Sequence, residues 1–127
     1  MTGVTLADGS GLSRQDKVPA GVLTDLVGGA ADGSLARAAA LLSGLPVAGY
    51  DGTLAERGDE DPATAPGTVR AKTGTLNGVH ALAGTVVTAD GRLLAFAVLA
   101  DAATGGGAAA EDALDEVAAE LARCGCS

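Results

Sequence analysis

Ala71-Lys72-Thr73-Gly74-Thr75-Leu76-Asn77-Gly78 is the stretch of sequence that decides the fold. An Asn-Gly pair between apolar segments is a strong signal for a two-residue β-hairpin turn. We therefore predict one strand over residues 68–75 and a second over residues 79–88. Asp90-Gly91 predicts another hairpin turn, followed by a third strand over residues 92–100. This half of the chain is thus predicted to be an antiparallel meander.

The segments on either side of the meander predict helices that cover it. In residues 79–87 both alternating sets of side chains are mostly apolar, which indicates a sheet that is covered on both faces. Apolar residues recur at helical spacing in three other segments. The predicted helices run from Pro19 to a stop at Gly28-Gly29, over residues 35–42 behind an N-cap at Ser34, and over residues 108–123. Residues 4–7 predict a short edge strand, and the charged residues 56–65 predict a solvated loop. The fold class is therefore α/β (α+β), an antiparallel sheet covered by helices.

Size and composition restrict the possible functions. The 127 residues suffice for one domain, and a net charge of −8 leaves no basic patch for nucleic acid or for an anionic membrane surface. No apolar run is long enough to span a membrane, and we expect no signal peptide in this chain. Cys124, Cys126 and the lone His80 are too few for a zinc site, so we predict no metal and no cofactor. The Cys-Gly-Cys end predicts a frayed, reducible tail in place of a structural disulfide.

Lys72, Thr73 and Gly74 combine residue types that suit the binding of an anionic peptide end. The ammonium group of Lys72 can attract a carboxylate, and the hydroxyl of Thr73 can donate to it. Gly74 has no side chain to obstruct a peptide that lies along the strand. A backbone N–H just beyond Gly74 can serve as an oxyanion donor. Three residues alone also fit a strand that merely enters a turn, so the interpretation depends on the surrounding sequence.

Three separated motifs supply that context. They are Asp8-Gly9-Ser10-Gly11-Leu12-Ser13-Arg14, Leu45-Pro46-Val47-Ala48-Gly49-Tyr50-Asp51-Gly52-Thr53-Leu54 and Val69-Arg70-Ala71-Lys72-Thr73-Gly74-Thr75-Leu76-Asn77-Gly78-Val79. Together they resemble the C-terminal part of the D-alanyl-D-alanine carboxypeptidase/endopeptidase family, the class C low-molecular-mass penicillin-binding proteins. The resemblance implies a partial penicilloyl-serine transpeptidase/β-lactamase-like fold. It also implies a serine-type hydrolase of peptidoglycan stem peptides that binds β-lactams and works outside the cytoplasmic membrane.

The same resemblance assigns roles to seven residues. The catalytic residues would be Lys72, Thr73, Gly74 and Thr75, and the substrate-binding residues would be Arg14, Leu76 and Asn77. Thr75 would supply the oxyanion N–H, and its hydroxyl would help to hold the substrate carboxylate. Arg14 would bind the diamino-acid side chain of the stem peptide, although a surface residue that ties down its own loop is an open alternative. The remaining polar residues are predicted to be structural: Ser10 and Ser13 as loop hydroxyls, Asp8 as a brace of the loop, His80 as a packed residue, and Tyr50 and Asp51 as parts of a structural segment.

Two motifs of the family do not occur in the sequence. Its nucleophile lies in Ser-x-x-Lys and its second motif is Ser-x-Asn, and neither pattern is present. Residues 1–127 are therefore expected to be the C-terminal part of the penicillin-binding domain, without the nucleophile-bearing part, and to be inactive alone. Alternatives are a truncated inactive product, a split enzyme that needs a separate N-terminal chain, and an unrelated domain with a chance Lys-Thr-Gly. A sheet edge left without its neighbours predicts poor solubility or self-association.

Overall fold

A three-stranded antiparallel sheet forms the centre of the molecule. The computed structural model describes residues 3–57 and 67–124. The strands are β1 (Val69–Leu76), β2 (Val79–Val87) and β3 (Leu93–Ala100), in the order β1-β2-β3. The Asn-Gly turn joins Leu76 directly to its partner Val79, and Gly78 takes the positive φ of 76° that the turn requires. The meander predicted from the two turn signals is confirmed.

One face of the sheet packs against the last helix. This helix, α3 (Gly107–Arg123), buries Leu114, Ala118 and Ala122 against the sheet. The sheet side of the core is built mainly from aliphatic residues, together with the one phenylalanine of the chain, Phe96. Because the helix residues in contact are mostly alanines, the helix axis can lie close to the strands. The core residues from the sheet are Val69, Ala71, Leu82, Val86 and Phe96.

The opposite face of the sheet carries the first helix, α1 (Ala20–Ala31), which packs on β3 and β2. The predicted stop at Gly28-Gly29 is wrong, because α1 continues through both glycines. A Cβ at Gly29 would lie 2.8 Å from the side chain of Leu35, so glycine there makes room for the returning chain. The helix ends at Ala31, two residues later, and Gly33 turns the chain with a φ of 80°.

The second predicted helix forms only in part. A short 3-10 turn (Ala36–Ala38) precedes a five-residue helix, α2 (Ala39–Ser43). Ser34 does not cap it, since its hydroxyl lies 3.5 Å from the carbonyl oxygen of Gly29 instead. The N-terminal residues likewise form less regular secondary structure than predicted. In place of a strand over residues 4–7 there is a single antiparallel bridge between Thr5 and Lys17. That bridge closes the loop between them.

The remaining sequence predictions have mixed outcomes. Most of the predicted charged loop falls on residues 58–66, which lie outside the described residues. Cys124 is disulfide-bonded, so the expectation of a frayed tail in place of a disulfide is wrong at this residue, whereas Cys126 lies outside the described residues. Among the helices that the structure describes, none combines the length and the apolar character needed to cross a bilayer.

Candidate active site

A groove lies on the sheet face that carries α1, on the part that α1 leaves uncovered. Its volume is about 610 Å³, and it runs between the N-terminal loop (residues 6–18) and the hairpin of β1 and β2. Val79, Ala81 and Leu99 form its apolar floor, and Leu99 is 40% exposed. The expectation that helices cover both faces of β2 therefore fails at this end of the strand. All four residues from Lys72 to Thr75 line the groove.

The outer edge of β1 is paired over its first half only. Ala48 donates its N–H to the carbonyl oxygen of Val69, and Ala71 donates its N–H to that of Pro46, both at 3.0 Å. Odd-numbered residues of β1 thus direct their backbone groups to the outer edge, since these groups alternate in direction along a strand. Within the ranges 3–57 and 67–124, no backbone group pairs with the outward groups of Thr73 or Thr75. The outward N–H and C=O groups of both threonines therefore border the groove without a backbone partner among these residues, although the carbonyl oxygen of Thr73 accepts a bond from Lys72.

The side chains of this half-strand are each held by a specific contact. Lys72 Nζ donates to the carbonyl oxygen of Thr73 at 2.7 Å, which holds the ammonium group at the open edge. The hydroxyl oxygens of Thr73 and Thr53 are 3.0 Å apart. Thr75 Oγ1 lies 3.4 Å from Glu111 Oε1 of α3. The open edge therefore carries one cation and two oriented hydroxyls within a few residues.

Because Gly74 has no side chain, nothing projects from β1 into the groove at this position. A Cβ at this position would stand 3.3 Å from the Cβ of Ala81 on β2, which is closer than ordinary van der Waals contact. A larger side chain would project over the floor of the groove beside Lys72. The glycine therefore leaves space along the strand, as its position in the sequence predicted.

The N-terminal loop is braced by Asp8. Its Oδ1 accepts hydrogen bonds from the hydroxyl of Ser10 at 2.9 Å and from the N–H groups of Ser10 and Gly11 at 2.9 and 3.2 Å. These bonds, above all that from the Ser10 hydroxyl, lower the pKa of Asp8 below its ordinary value of 3.8. The carboxylate is thus a fixed acceptor. The prediction that Asp8 braces the loop is confirmed, as is the structural role of the Ser10 hydroxyl.

Arg14 links this loop to the β1–β2 hairpin. Its Nη2 donates to the carbonyl oxygen of Asn77 at 2.8 Å, across 63 residues of sequence. This contact ties down the loop, which was one of the two predicted roles. Arg14 and Leu76 both line the groove, and Asn77 follows Leu76 in the hairpin turn. The three predicted substrate-binding residues therefore lie together, while their contact with a substrate stays a prediction.

His80 is packed and not part of the groove. It is 4% exposed, and its Nδ1 has no hydrogen-bond partner among the described residues. The nearest carboxylate oxygen, Glu111 Oε1, lies 4.0 Å away, which is too long for a hydrogen bond. The prediction of a packed histidine is confirmed.

The sequence assigned no role at the site to Thr53 or Glu111. Thr53 and Glu111 contact the threonines of β1 from 20 and 36 residues away in sequence. Neither belongs to the Lys-Thr-Gly stretch, and a tertiary contact of this kind has no local periodicity. The only available signal was that Thr53 lies in one of the three motifs.

Comparison with known proteins relates the whole chain to one family. The model of the D-Ala-D-Ala carboxypeptidase 3 (S13) family matches residues 1–121. The chain is 40% identical over 127 residues to carboxypeptidase DacB of Mycolicibacterium smegmatis, covering 98% of this chain and 27% of that protein. It is 45% identical over 102 residues to the D-alanyl-D-alanine carboxypeptidase of Actinomadura sp. (strain R39), covering 76% of this chain and 18% of that protein. The chain thus spans about a quarter or less of the length of these relatives.

Solved structures show the same fold. The crystal structure of penicillin binding protein 4 (dacB) from Haemophilus influenzae superimposes with a TM-score of 0.82 at 31% identity, covering 95% of this chain and 28% of that one. A second structure of that protein contains a β-lactam and superimposes equally well. The predicted partial penicillin-binding fold, an antiparallel sheet covered by helices, is confirmed.

Proposed function

Because this chain belongs to the D-Ala-D-Ala carboxypeptidase 3 (S13) family, we propose that it forms the substrate-clamping part of a serine-type D-alanyl-D-alanine carboxypeptidase/endopeptidase. The enzyme hydrolyses peptidoglycan stem peptides through an acyl-enzyme. The observation that carries the proposal is the open half of the β1 edge, where backbone groups of Thr73 and Thr75 face the groove without a backbone partner among the described residues. An extended peptide can pair with such an edge by strand addition.

The N–H of Thr75 is the oxyanion donor in this proposal. Hydrogen bonding along β1 directs it to the outer edge, beside the ammonium group of Lys72. When a nucleophile attacks the scissile carbonyl carbon, negative charge develops on the carbonyl oxygen. A fixed N–H stabilises that charge without reorganisation, and loss of one such donor costs roughly 100- to 1,000-fold in rate. The second donor would come from the nucleophile's own amide.

Lys72, Thr73 and Thr75 hold the terminal carboxylate of the substrate. The ammonium group of Lys72 supplies long-range attraction and supports the proton network, and the Thr73 hydroxyl donates directly. The Thr75 hydroxyl adds a second donor when it turns from Glu111 Oε1, 3.4 Å away, to the substrate. Attraction between ionised groups strengthens as water is excluded from the groove. Gly74 leaves the space in which the peptide lies. The chain's overall charge of −8 makes this local cation important for attracting an anionic ligand.

Arg14, Leu76 and Asn77 form the end of the groove that recognises the side chain of the stem peptide. Arg14 is already positioned there by its bond to the carbonyl oxygen of Asn77. Its remaining guanidinium N–H groups are available to a polar or anionic end of a diamino-acid side chain. Leu76 supplies the apolar contact for the methylene groups of that side chain.

The serine nucleophile belongs to another part of the protein in this proposal. Residues 1–127 then represent the C-terminal part of the penicillin-binding domain, as the absence of Ser-x-x-Lys from the sequence and the coverage of the relatives both suggest. The complete site would also react with β-lactams, since the homologous Haemophilus influenzae protein is known in complex with one. The assembled enzyme would act on peptidoglycan outside the cytoplasmic membrane.

Labelling with a fluorescent penicillin tests the proposal. We expect no label on the 127-residue chain and stable label on the same chain joined to its nucleophile-bearing part. In the joined protein, Lys72→Ala should slow labelling about 100-fold or more. The other lysine of the chain provides the matched control, so Lys17→Ala should label like the unmodified protein.

Two results would contradict the proposal. Label on the 127-residue chain alone would identify a serine within it, such as Ser10 or Ser13, as the nucleophile. If the Lys72→Ala and Lys17→Ala proteins were labelled at equal rates, the open edge of β1 would have no part in the reaction.

A further inference from the structure

We propose that Thr53 is a positioning residue that sets the direction of the Thr73 hydroxyl. The inference rests on the proposed function, in which Thr73 donates to the substrate carboxylate. Its basis is the 3.0 Å separation of the two hydroxyl oxygens, the contact that the structure gives the side chain of Thr73. Thr53 belongs to the second sequence motif, Leu45 to Leu54, which the proposed function does not otherwise use.

The loop that carries Thr53 is attached to β1 itself. Residues 46–48 pair with the outer edge of β1, and Val47 pairs with Arg70 in an antiparallel bridge. The loop is closed by two internal bonds, from the N–H of Val47 to Asp51 Oδ1 at 2.7 Å and from the N–H of Gly49 to the carbonyl oxygen of Leu54 at 2.9 Å. Thr53 is therefore attached to β1 through the backbone bonds of its own loop.

The residues adjoining Thr53 in sequence are fixed as well. Leu54 is 1% exposed and belongs to the core, so it anchors the short 3-10 turn Gly52–Leu54. Gly52 has a φ of 58°, and a Cβ there would stand 3.1 Å from the ring of Pro46. Three residues beyond Leu54, Arg57 makes two hydrogen bonds, at 2.8 and 2.6 Å, to the carboxylate of Asp115 on α3. Thr53 is consequently an exposed side chain on a rigid support.

Counting protons gives the direction of the bond when substrate is present. A threonine hydroxyl has one proton to donate and two lone pairs that accept. If Thr73 donated its proton to Thr53, it would have none for a carboxylate. If Thr53 donates to Thr73, the proton of Thr73 is free, and a hydroxyl that accepts a bond is a stronger donor in turn. The structure has Thr73 as the donor to Thr53. With substrate bound, proton counting reverses this bond, so that the donor chain runs from Thr53 through Thr73 to the carboxylate.

The isosteric change Thr53→Val tests this role, because it removes the hydroxyl and keeps the shape. The readouts are the three-bond couplings of the Thr73 methyl group, which report its χ1 rotamer, and the affinity of the 127-residue chain for N-acetyl-D-alanine. In the unmodified chain we expect couplings of a single rotamer. In Thr53→Val we expect averaged couplings and about three- to ten-fold weaker binding, the range for one lost hydrogen bond. Thr53→Ser should restore both, and Thr24→Val on α1 should change neither.

The two readouts separate the failure of this inference from the failure of the proposed function. Unchanged Thr73 couplings in Thr53→Val would overturn the positioning role, whatever the binding result. If the unmodified chain bound no N-acetyl-D-alanine, the proposed carboxylate clamp would fail for this chain, while the couplings would still decide whether Thr53 fixes Thr73. Binding that weakens equally in Thr53→Val and Thr53→Ser would also overturn it, since the serine retains the donor.

Discussion

Replacing Gly84 with alanine should separate β1 from β2. Gly84 lies opposite Ala71 in the register of the two strands. An added Cβ would stand 2.0 Å from the carbonyl oxygen of Arg70 and 2.5 Å from the Cα of Ala71. Both are backbone atoms of the strand that carries the candidate site, so no side-chain rotation can relieve the overlap. The strand itself must move.

The size of the effect follows from these distances. Ordinary contact begins at about 3.4 Å, so β1 would have to retreat by about 1.4 Å. Backbone hydrogen bonds of about 2.9 Å would then stretch beyond 4 Å and be lost. Two lost ladder bonds cost about 1 kcal/mol each. Overpacking adds about 1–3 kcal/mol. We therefore expect a loss of about 3–5 kcal/mol, a large part of the roughly 5–15 kcal/mol that stabilises a typical domain.

Urea unfolding followed by far-UV circular dichroism measures this loss, since the chain has no tryptophan. The matched control is Gly21→Ala on α1, where a Cβ would meet nothing within 4 Å. That change should leave stability unaltered or raise it by up to about 1 kcal/mol, because alanine is the better helix former. If Gly84→Ala unfolded at the same urea concentration as Gly21→Ala, the close approach of β1 to β2 would be refuted.

Two further predictions concern charged contacts. Asp115→Asn should lower the free energy of unfolding by about 1.5–3 kcal/mol, because the largely buried guanidinium of Arg57 loses its ionised partner. The control is Asp112→Asn on the exposed side of the same helix. Equal urea midpoints for the two variants would contradict the expectation. The bonds that lower the pKa of Asp8 should stabilise the N-terminal loop fully above pH 3.8 and be lost as pH falls through the lower pKa of the folded state. Amide shifts of Ser10 and Gly11 followed against pH should therefore move with a midpoint below 3.8, and a midpoint at or above 3.8 would contradict the bracing role.

The parts of the fold that the sequence predicted correctly depend on local chemistry. Asn77-Gly78 and Asp90-Gly91 supply residues that tolerate the backbone angles of tight turns, and each turn fixes the register of the strands beside it. The Lys-Thr-Gly stretch could also be placed on an edge strand, because the family resemblance rests on short motifs with fixed order. Both kinds of signal lie within a few neighbouring residues.

The predictions that failed depend on contacts between distant residues. Gly28-Gly29 looks like a helix stop, yet the helix continues because Leu35 packs against Gly29. Ser34 has the residue type of an N-cap, but the chain around it is shaped by that same packing. Thr53 likewise reaches Thr73 only because residues 46–48 pair with β1. Such contacts have no periodicity, so a single sequence does not reveal them.

The half-paired edge of β1 restricts how a neighbouring strand can slide along it. A strand added to a long free edge can shift by two residues and keep the same side chains on each face. Here a shift toward the start of β1 is blocked by residues 46–48, and a shift the other way runs off the hairpin after Leu76. The free length, residues 72–76, is roughly 17 Å at the usual rise per residue. A strand-like ligand that paired with this edge would therefore gain no further backbone bonds by being longer, and its register would be fixed by the protein alone.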